Sequence, residues 1–92
     1  MQKAVISVTG KDSFGIIAKV SNECFECNVN IADVSQTILQ GYFAMIMVVD
    51  IEKISVPFSD FVDRMTLLGK QSGLEIHTMH EDIFDAMHKI WG

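Results

Sequence analysis

The residues best placed to do chemistry lie in one short stretch, Gly10 to Ile16, where an apolar strand pattern ends and a helical pattern begins. Asp12 and Ser13 are residue types that cap the first amides of a helix. Amides that stay unpaired point outward at the positive end of the helix dipole and attract a carboxylate. Gly15 has no β-carbon, so a small ligand could lie against the backbone there. A tight strand-to-helix turn that binds nothing also requires a glycine and a capping residue, so the loop alone does not indicate a ligand.

A second candidate for chemistry is the Cys-x-x-Cys pair of Cys24 and Cys27, a spacing used in redox and metal sites. The pair falls inside a helical pattern, and Cys24 lies on its apolar stripe, where a free thiol behaves as a small hydrophobic residue. A zinc site would need two more ligands, and His77 and His80 point to opposite faces of a predicted strand. The position therefore favours buried, unreactive thiols, and we expect no metal and no other cofactor.

The loop is held between an alternating strand and an amphipathic helix. Lys3 to Thr9 alternates two sets of residues rich in β-branched side chains, which predicts a strand. The helix is predicted from an apolar stripe at three- and four-residue intervals, formed by Ile17, Val20, Cys24 and Cys27. It should end near Cys27, with Asn28 in the left-handed position that follows a helix.

A hairpin is predicted next. Ile31 to Leu39 alternates with one mostly polar face, and Gln40-Gly41 makes a short reversal into Tyr42 to Val49. This last strand is apolar on both faces, so a second layer must cover the side that faces away from the first core.

The C-terminal half predicts a helix, a strand and a further helix. Pro57 suits the first position of the second helix and Gly73 the position after its end. Leu74 to His80 alternates as a peripheral fourth strand. Glu81 to Trp91 has apolar residues at helical spacing, and this tail helix would cover the second face of Tyr42 to Val49, within the chain or across a dimer.

The predicted order gives an α+β fold, a ferredoxin-like βαββαβ sandwich with a four-stranded antiparallel sheet, two helices on one face, and an added C-terminal helix. We assign residues 1–80 to one domain and residues 81–92 to a helical extension. Since this fold carries many functions, the function must be argued from the site.

Composition excludes several classes of function. The chain has 92 residues, of which 49% are hydrophobic and 21% charged, with a net charge of −5. A small domain this apolar is expected to bury part of its surface in an interface. The acidic charge argues against a nucleic-acid partner. The longest apolar run is too short to span a membrane, and no secretory leader pattern precedes the first strand, so we expect a cytoplasmic protein.

Enzymes and metal carriers with this fold need particular residues at positions where this sequence has others. An acylphosphatase would place a guanidinium in the first loop, but Arg64, the only arginine, lies in the second predicted helix. A copper carrier would place its two cysteines in the first loop. An RNA-binding domain would pair its strand aromatics with basic surroundings. Ser13 has no histidine within thirty residues, so we expect no catalytic residues.

Three segments carry a resemblance to a known family: Val8-Thr9-Gly10-Lys11-Asp12-Ser13-Phe14-Gly15-Ile16-Ile17-Ala18-Lys19-Val20, Asn28-Val29-Asn30-Ile31 and Asp33-Val34-Ser35-Gln36. They resemble the ACT domain, a small regulatory module that binds amino acids and related ligands. The resemblance covers about residues 2 to 80. More narrowly, the chain is similar to short stand-alone bacterial ACT proteins with a helical extension, which are similar to the first half of the glycine cleavage system repressor.

The resemblance implies a ligand site, a homodimer and no catalysis. Its loop residues would contact the polar head of the ligand and two later residues would complete the pocket, usually between two ACT units: Asp12, Ser13, Phe14, Gly15, Ile16, Asn30 and Ile31. Phe14 replaces a proline common in the family, and its ring could narrow the pocket or form its wall. Asp12 would cap the helix or hold an ammonium group, and Asn30 would bind the ligand or only stabilise a turn.

The function expected from these residues is regulatory binding of a small molecule, an amino acid, by a dimer without nucleic-acid or membrane partners. The alternative is a structural or protein-interaction module that binds no small ligand.

Overall fold

The computed structural model describes residues 2–11 and 14–91, with side chains throughout those ranges except at Leu39 and residues 87–91. The elements are β1 (Lys3–Gly10), α1 (Ile16–Glu26), β2 (Asn30–Leu39), β3 (Tyr42–Asp50), α2 (Phe58–Ser72), β4 (Glu75–His80) and α3 (Glu81–Trp91). This order confirms the predicted βαββαβ arrangement followed by a C-terminal helix.

The four strands form one antiparallel sheet in the order β2-β3-β1-β4. β2 and β4 are the edge strands, as predicted for the fourth strand. Gln40 and Gly41 have φ angles of 52° and 83°, the conformation of a two-residue hairpin turn. A register shift between Ile31 and Asp33 then aligns Asn30 with Asp50 at the far end of the hairpin.

The core lies between one face of the sheet and the pair α1 and α2. It contains alternate residues of the central strands, Ala4, Ile6, Val8, Phe43, Met45, Met47 and Val49, and the inward residues of the helices, among them Ile16, Val20, Cys24, Phe61 and Met65. Ile17, predicted on this stripe, is instead 42% exposed, and Ile16 takes the core position. The reason is that α1 begins at Ile16, and residues four apart from there face the sheet.

The helix ends agree with the sequence pattern at two of three positions. Asn28 has a φ angle of 58° after α1, and Gly73 has a φ angle of 70° after α2, both left-handed as predicted. Pro57 was predicted at the first helical position, but its ψ angle of 142° is extended, so it is the N-cap and α2 begins at Phe58.

Arg64 joins the two helices on the outer side of the core. Its Nε donates to Glu23 Oε2 at 2.7 Å, and its Nη2 donates to Glu26 Oε2. Glu23 and Glu26 therefore mark the side of α1 that faces α2, and the opposite side of the helix faces away from it.

The tail helix α3 lies mainly against β1 and β4. Val5, which points away from α1 and α2, is 5% exposed, whereas Ile46 and Tyr42 on the same face of β3 are 45% and 56% exposed. Within one chain the tail helix therefore does not cover β3 as predicted, because it continues directly from an edge strand two places away. Cover across a dimer stays a prediction. The side chains of Met87, Ile90 and Trp91 lie outside the described residues.

In the described part of the chain, every helix is too short or too polar to cross a bilayer.

Candidate functional site

The predicted loop connects the end of β1 to the start of α1. Gly10 pairs with Phe43 at the last position of β1, and Gly15 occupies the N-cap of α1. Gly15 has no side chain that could accept hydrogen bonds from the first amides of the helix, and its carbonyl oxygen accepts from the Lys19 amide at 3.1 Å. Asp12 and Ser13, the predicted capping residues, lie outside the described residues.

Gly15 combines a left-handed backbone with open space. Its φ angle is 72°, and a β-carbon added there would meet no atom within 4 Å. A left-handed N-cap favours glycine because other residues pay a steric cost in this region. The space beside Gly15 is therefore not filled by the described residues of the same chain.

A cavity of about 330 Å³ lies on the α2 side of this loop and is called the loop cavity; it is lined by Phe14, Ile16, Lys19, Gln71, Ser72 and Leu74. Phe14 is 93% exposed, so its ring forms a wall of the cavity and does not fill it. Ile16 is 1% exposed, which leaves its backbone as the part that can reach a ligand. Lys19 gives this cavity a cation near the positive end of α1.

A second cavity, of about 400 Å³, lies at the other end of α1 and is called the turn cavity. It is lined by Phe25, Asn28, Val29, Asn30, Asp50, Glu52 and Lys53. Asn30 is exposed at its wall, whereas Ile31 is half-buried and packs against the core. The turn that follows β3 thus meets the start of β2 in a concave, polar surface.

The predicted site residues therefore separate into two groups within one chain. Phe14, Gly15 and Ile16 lie at the N-terminus of α1, and Asn30 and Ile31 follow its C-terminus. The helix has 11 residues, a length of about 16 Å at the usual rise. One chain alone cannot bring both groups onto one small ligand.

Several lining residues were not predicted from the sequence. Lys19, Gln71 and Ser72 reach the loop cavity because the end of α2 packs beside the start of α1, which periodicity does not reveal. Asp50 could have been placed near Asn30 by counting outward from the Gln40-Gly41 turn, to within the one-residue shift of the bulge.

The cysteines are not placed for redox or metal chemistry. Cys24 and Cys27 are free thiols, 1% and 0% exposed. Burial raises the pKa of Cys24 to about 11, and the nearby Cys27 and Glu23 add to the rise. Burial also raises the pKa of Cys27. Over the described ranges no group of three or more His, Cys, Asp or Glu side chains could hold a metal ion.

One serine and one histidine lie close together in the sheet. Ser7 and His77 are register partners on the face away from α1 and α2, and His77 Nε2 lies 3.4 Å from Glu75 Oε2. No hydrogen bond joins Ser7 to His77 in the described part of the chain, and neither residue lines either cavity. The pair is not arranged as a nucleophile with its base.

Comparison with known proteins gives a consistent result. A family model described as the ACT domain matches residues 2–79. The chain is 48% identical over 88 residues to a UPF0237 protein from Listeria innocua, and the aligned region covers 96% of this chain and 99% of that relative.

Two solved structures are similar in fold and sequence. An ACT domain protein from Streptococcus pneumoniae superimposes with a TM-score of 0.78 and 36% identity, covering 90% of this chain and 93% of that one. A putative glycine cleavage system transcriptional repressor gives a TM-score of 0.68 and 25% identity, covering 86% of this chain and 45% of the repressor.

Proposed function

This chain belongs to the ACT domain family, and from that membership we propose that it is a non-catalytic, cytoplasmic regulatory protein that binds an amino acid between two copies of itself. Residues 1–80 form the sensing domain and residues 81–92 extend it. The observation that carries the proposal is the open backbone at Gly15, where a compact ligand can approach the first amides of α1 without meeting a side chain.

The first turn of α1 suits the carboxylate of an amino acid. Its amides lack partners one turn earlier in the helix, and the helix dipole favours a negative group at this end. Lys19 adds a positive charge at the loop cavity beside this turn. Asp12 and Ser13 remain part of the proposed site as loop neighbours of Gly15.

A second copy is needed because the remaining site residues lie at the other end of α1. The side of α1 away from Arg64 carries Ile17 and Phe25, and the neighbouring edge strand β2 carries Val34 and Ile38 on its helix-facing side. These four residues are called the β2-side surface. They are 42%, 81%, 39% and 72% exposed, and an exposed apolar patch beside an unpaired strand edge is typical of an interface.

Two copies that pair through this surface about a two-fold axis perpendicular to α1 run their α1 helices antiparallel. The Gly15 end of one helix then lies beside the Asn30 end of the other. Charge supports this pairing, because Lys11 and Lys19 lie at the first end, and Asp50 and Glu52 at the second. The open backbone at Gly15 of one copy and the turn cavity of the other then face the same ligand.

Regulation follows from this arrangement as a population shift. A ligand that contacts both copies stabilises one mutual arrangement by its higher affinity for it. A separate partner protein, or further association of the domain, responds to that arrangement.

Calorimetry with each of the twenty standard amino acids tests the proposal. At least one should bind the wild-type protein, and Gly15→Val should abolish that binding, because a β-branched residue is strained at a φ angle of 72°. Gly41→Val is the matched control, since Gly41 has a φ angle of 83°, open space around it, and no place in either cavity.

The control variant distinguishes a loss of binding caused by general destabilisation from one caused by damage to the binding site. Both variants should lose stability by a similar amount, about 1–2 kcal/mol, but only Gly15→Val should lose the ligand. Absence of any binder would overturn the proposal and leave a protein-interaction module without a small ligand.

A further inference from the structure

The turn cavity has a fixed polar wall. Asn28 Nδ2 donates to the Lys53 carbonyl oxygen at 2.8 Å, and the Ser55 amide donates to the Cys27 carbonyl oxygen at 2.9 Å. These two bonds tie the turn after β3 to the end of α1. The shape of the cavity is therefore set before a ligand arrives, which lowers the cost of ordering on binding.

The wall presents oxygen acceptors with free capacity. Asp50 Oδ1 accepts from the Glu52 amide at 2.9 Å, which orients the carboxylate and leaves Oδ2 without a hydrogen bond to the described residues. The Glu52 carboxylate likewise has no hydrogen-bond partner in the described ranges. The side-chain nitrogen of Asn28 donates to Lys53, which leaves its side-chain oxygen free to accept a hydrogen bond. A primary ammonium group has three donors and no acceptor, so it matches such a wall.

The net charge of the turn cavity limits which ligands can bind there. Two carboxylates, Asp50 and Glu52, and one ammonium, Lys53, leave one negative charge. One bound ammonium group neutralises it, whereas an additional carboxylate on the ligand side chain would be repelled. Phe25, 81% exposed, offers an apolar wall to an uncharged side chain.

We infer that Asp50 and Glu52 bind the ammonium group of the ligand and so select a free amino acid without an acidic side chain. This inference rests on the proposed function: the carboxylate of the ligand is bound at the Gly15 end of one copy, and its ammonium in the turn cavity of the other. Both ends are required, so neither a simple amine nor a simple acid is an equal substitute.

Asp50→Asn and Glu52→Gln test these roles with little change of shape. Asparagine keeps the oxygen that accepts from the Glu52 amide, and Glu52 makes no side-chain hydrogen bond in the described structure. Each change should weaken binding of the amino acid that the wild type binds most tightly by about tenfold or more, as expected for a hydrogen bond to a charged group. Asp63→Asn is the control: Asp63 is exposed on α2 and lines neither cavity, so this variant should bind the ligand as the wild type does.

Ligand analogues give an independent readout by calorimetry. The amine left after decarboxylation of that amino acid, and the 2-hydroxy acid that replaces its amino group, should both bind more weakly than the amino acid. The hydroxy acid should bind the wild type and Asp50→Asn alike, because it has no ammonium group for Asp50.

Four outcomes would overturn the inference. Unchanged affinity in both Asp50→Asn and Glu52→Gln, with binding still abolished by Gly15→Val, refutes these residue roles and leaves the proposed function intact. Tightest binding of aspartate or glutamate contradicts the charge argument. Heat on addition of MgCl₂ or CaCl₂ alone that disappears in Asp50→Asn assigns the carboxylates to a metal ion instead. If none of the twenty amino acids binds, this inference and the proposed function fail together.

Discussion

Gly15 and Asn30 lie at opposite ends of α1, one at its N-cap and the other at the first position of the strand that follows it. Both belong to the segments by which the sequence resembles an amino-acid-binding family, yet the helix keeps them apart. The simplest arrangement that uses both in one site is an antiparallel pair of chains, in which each ligand contacts two copies.

The β2-side surface is predicted to hold the dimer together. Ile38→Lys should give a monomer, because Ile38 is 72% exposed in one chain and a buried, unpaired lysine at the interface is costly. Sedimentation velocity measures the change, and the thermal midpoint should move little. Leu67→Lys, at a residue on α2 that is 55% exposed, is the control and should remain a dimer. An Ile38→Lys protein that still dimerises would place the interface elsewhere.

Close packing of α2 on β4 predicts a second effect. A β-carbon at Gly69 would lie 2.8 Å from the Leu74 carbonyl oxygen, so Gly69→Ala forces backbone apart. We expect a loss of about 1–3 kcal/mol in the free energy of unfolding, although alanine is the better helix former. Urea unfolding measures it, with Lys70→Ala, at an exposed neighbour, as the control. A more stable Gly69→Ala protein would contradict this packing.

The buried Cys24 thiol predicts a stability change at alkaline pH. Its pKa is about 11 in the folded chain against 9.0 for an unburied thiol. Between these values the unfolded state loses the proton while the folded state keeps it, so the unfolded state binds fewer protons and stability falls as pH rises. The contribution is at most about 1.4 kcal/mol per pH unit.

Denaturant unfolding from pH 8 to 11 measures that slope. Cys24→Ala should be less stable at pH 8 because it leaves a small cavity, and its stability should fall less steeply above pH 9. Equal slopes in the two proteins would show that ionisation of Cys24 is not coupled to folding.

Local chemistry explains which parts of the fold were predictable. Asn28 and the Gln40-Gly41 pair have residue types that tolerate left-handed backbone, so the end of α1 and the hairpin turn follow from the sequence. Ile17 was misplaced because a helical stripe fixes spacing better than phase, and the true start at Ile16 turns the stripe by one residue. The path of α3 depends on packing between distant elements, which no local pattern encodes.

The candidate site was predictable only in part, for a related reason. The loop residues are consecutive, so their proximity follows from the chain itself. The wall around Asn30 depends on the bulge between Ile31 and Asp33 and on the tie between Asn28 and Lys53, both of which are contacts across the fold. The sequence therefore indicated Asn30 but not Glu52 or Lys53 beside it.

Mixing two defective variants tests most directly whether each site is shared between copies. Gly15→Val damages the loop half and Asn30→Ala the turn half, so neither protein alone should bind the amino acid that the wild type binds. After subunit exchange, each mixed dimer contains one undamaged site, and an equal mixture should regain about a quarter of the wild-type sites by calorimetry. A mixture that forms mixed dimers by native mass spectrometry and still binds nothing would contradict a site built from two chains.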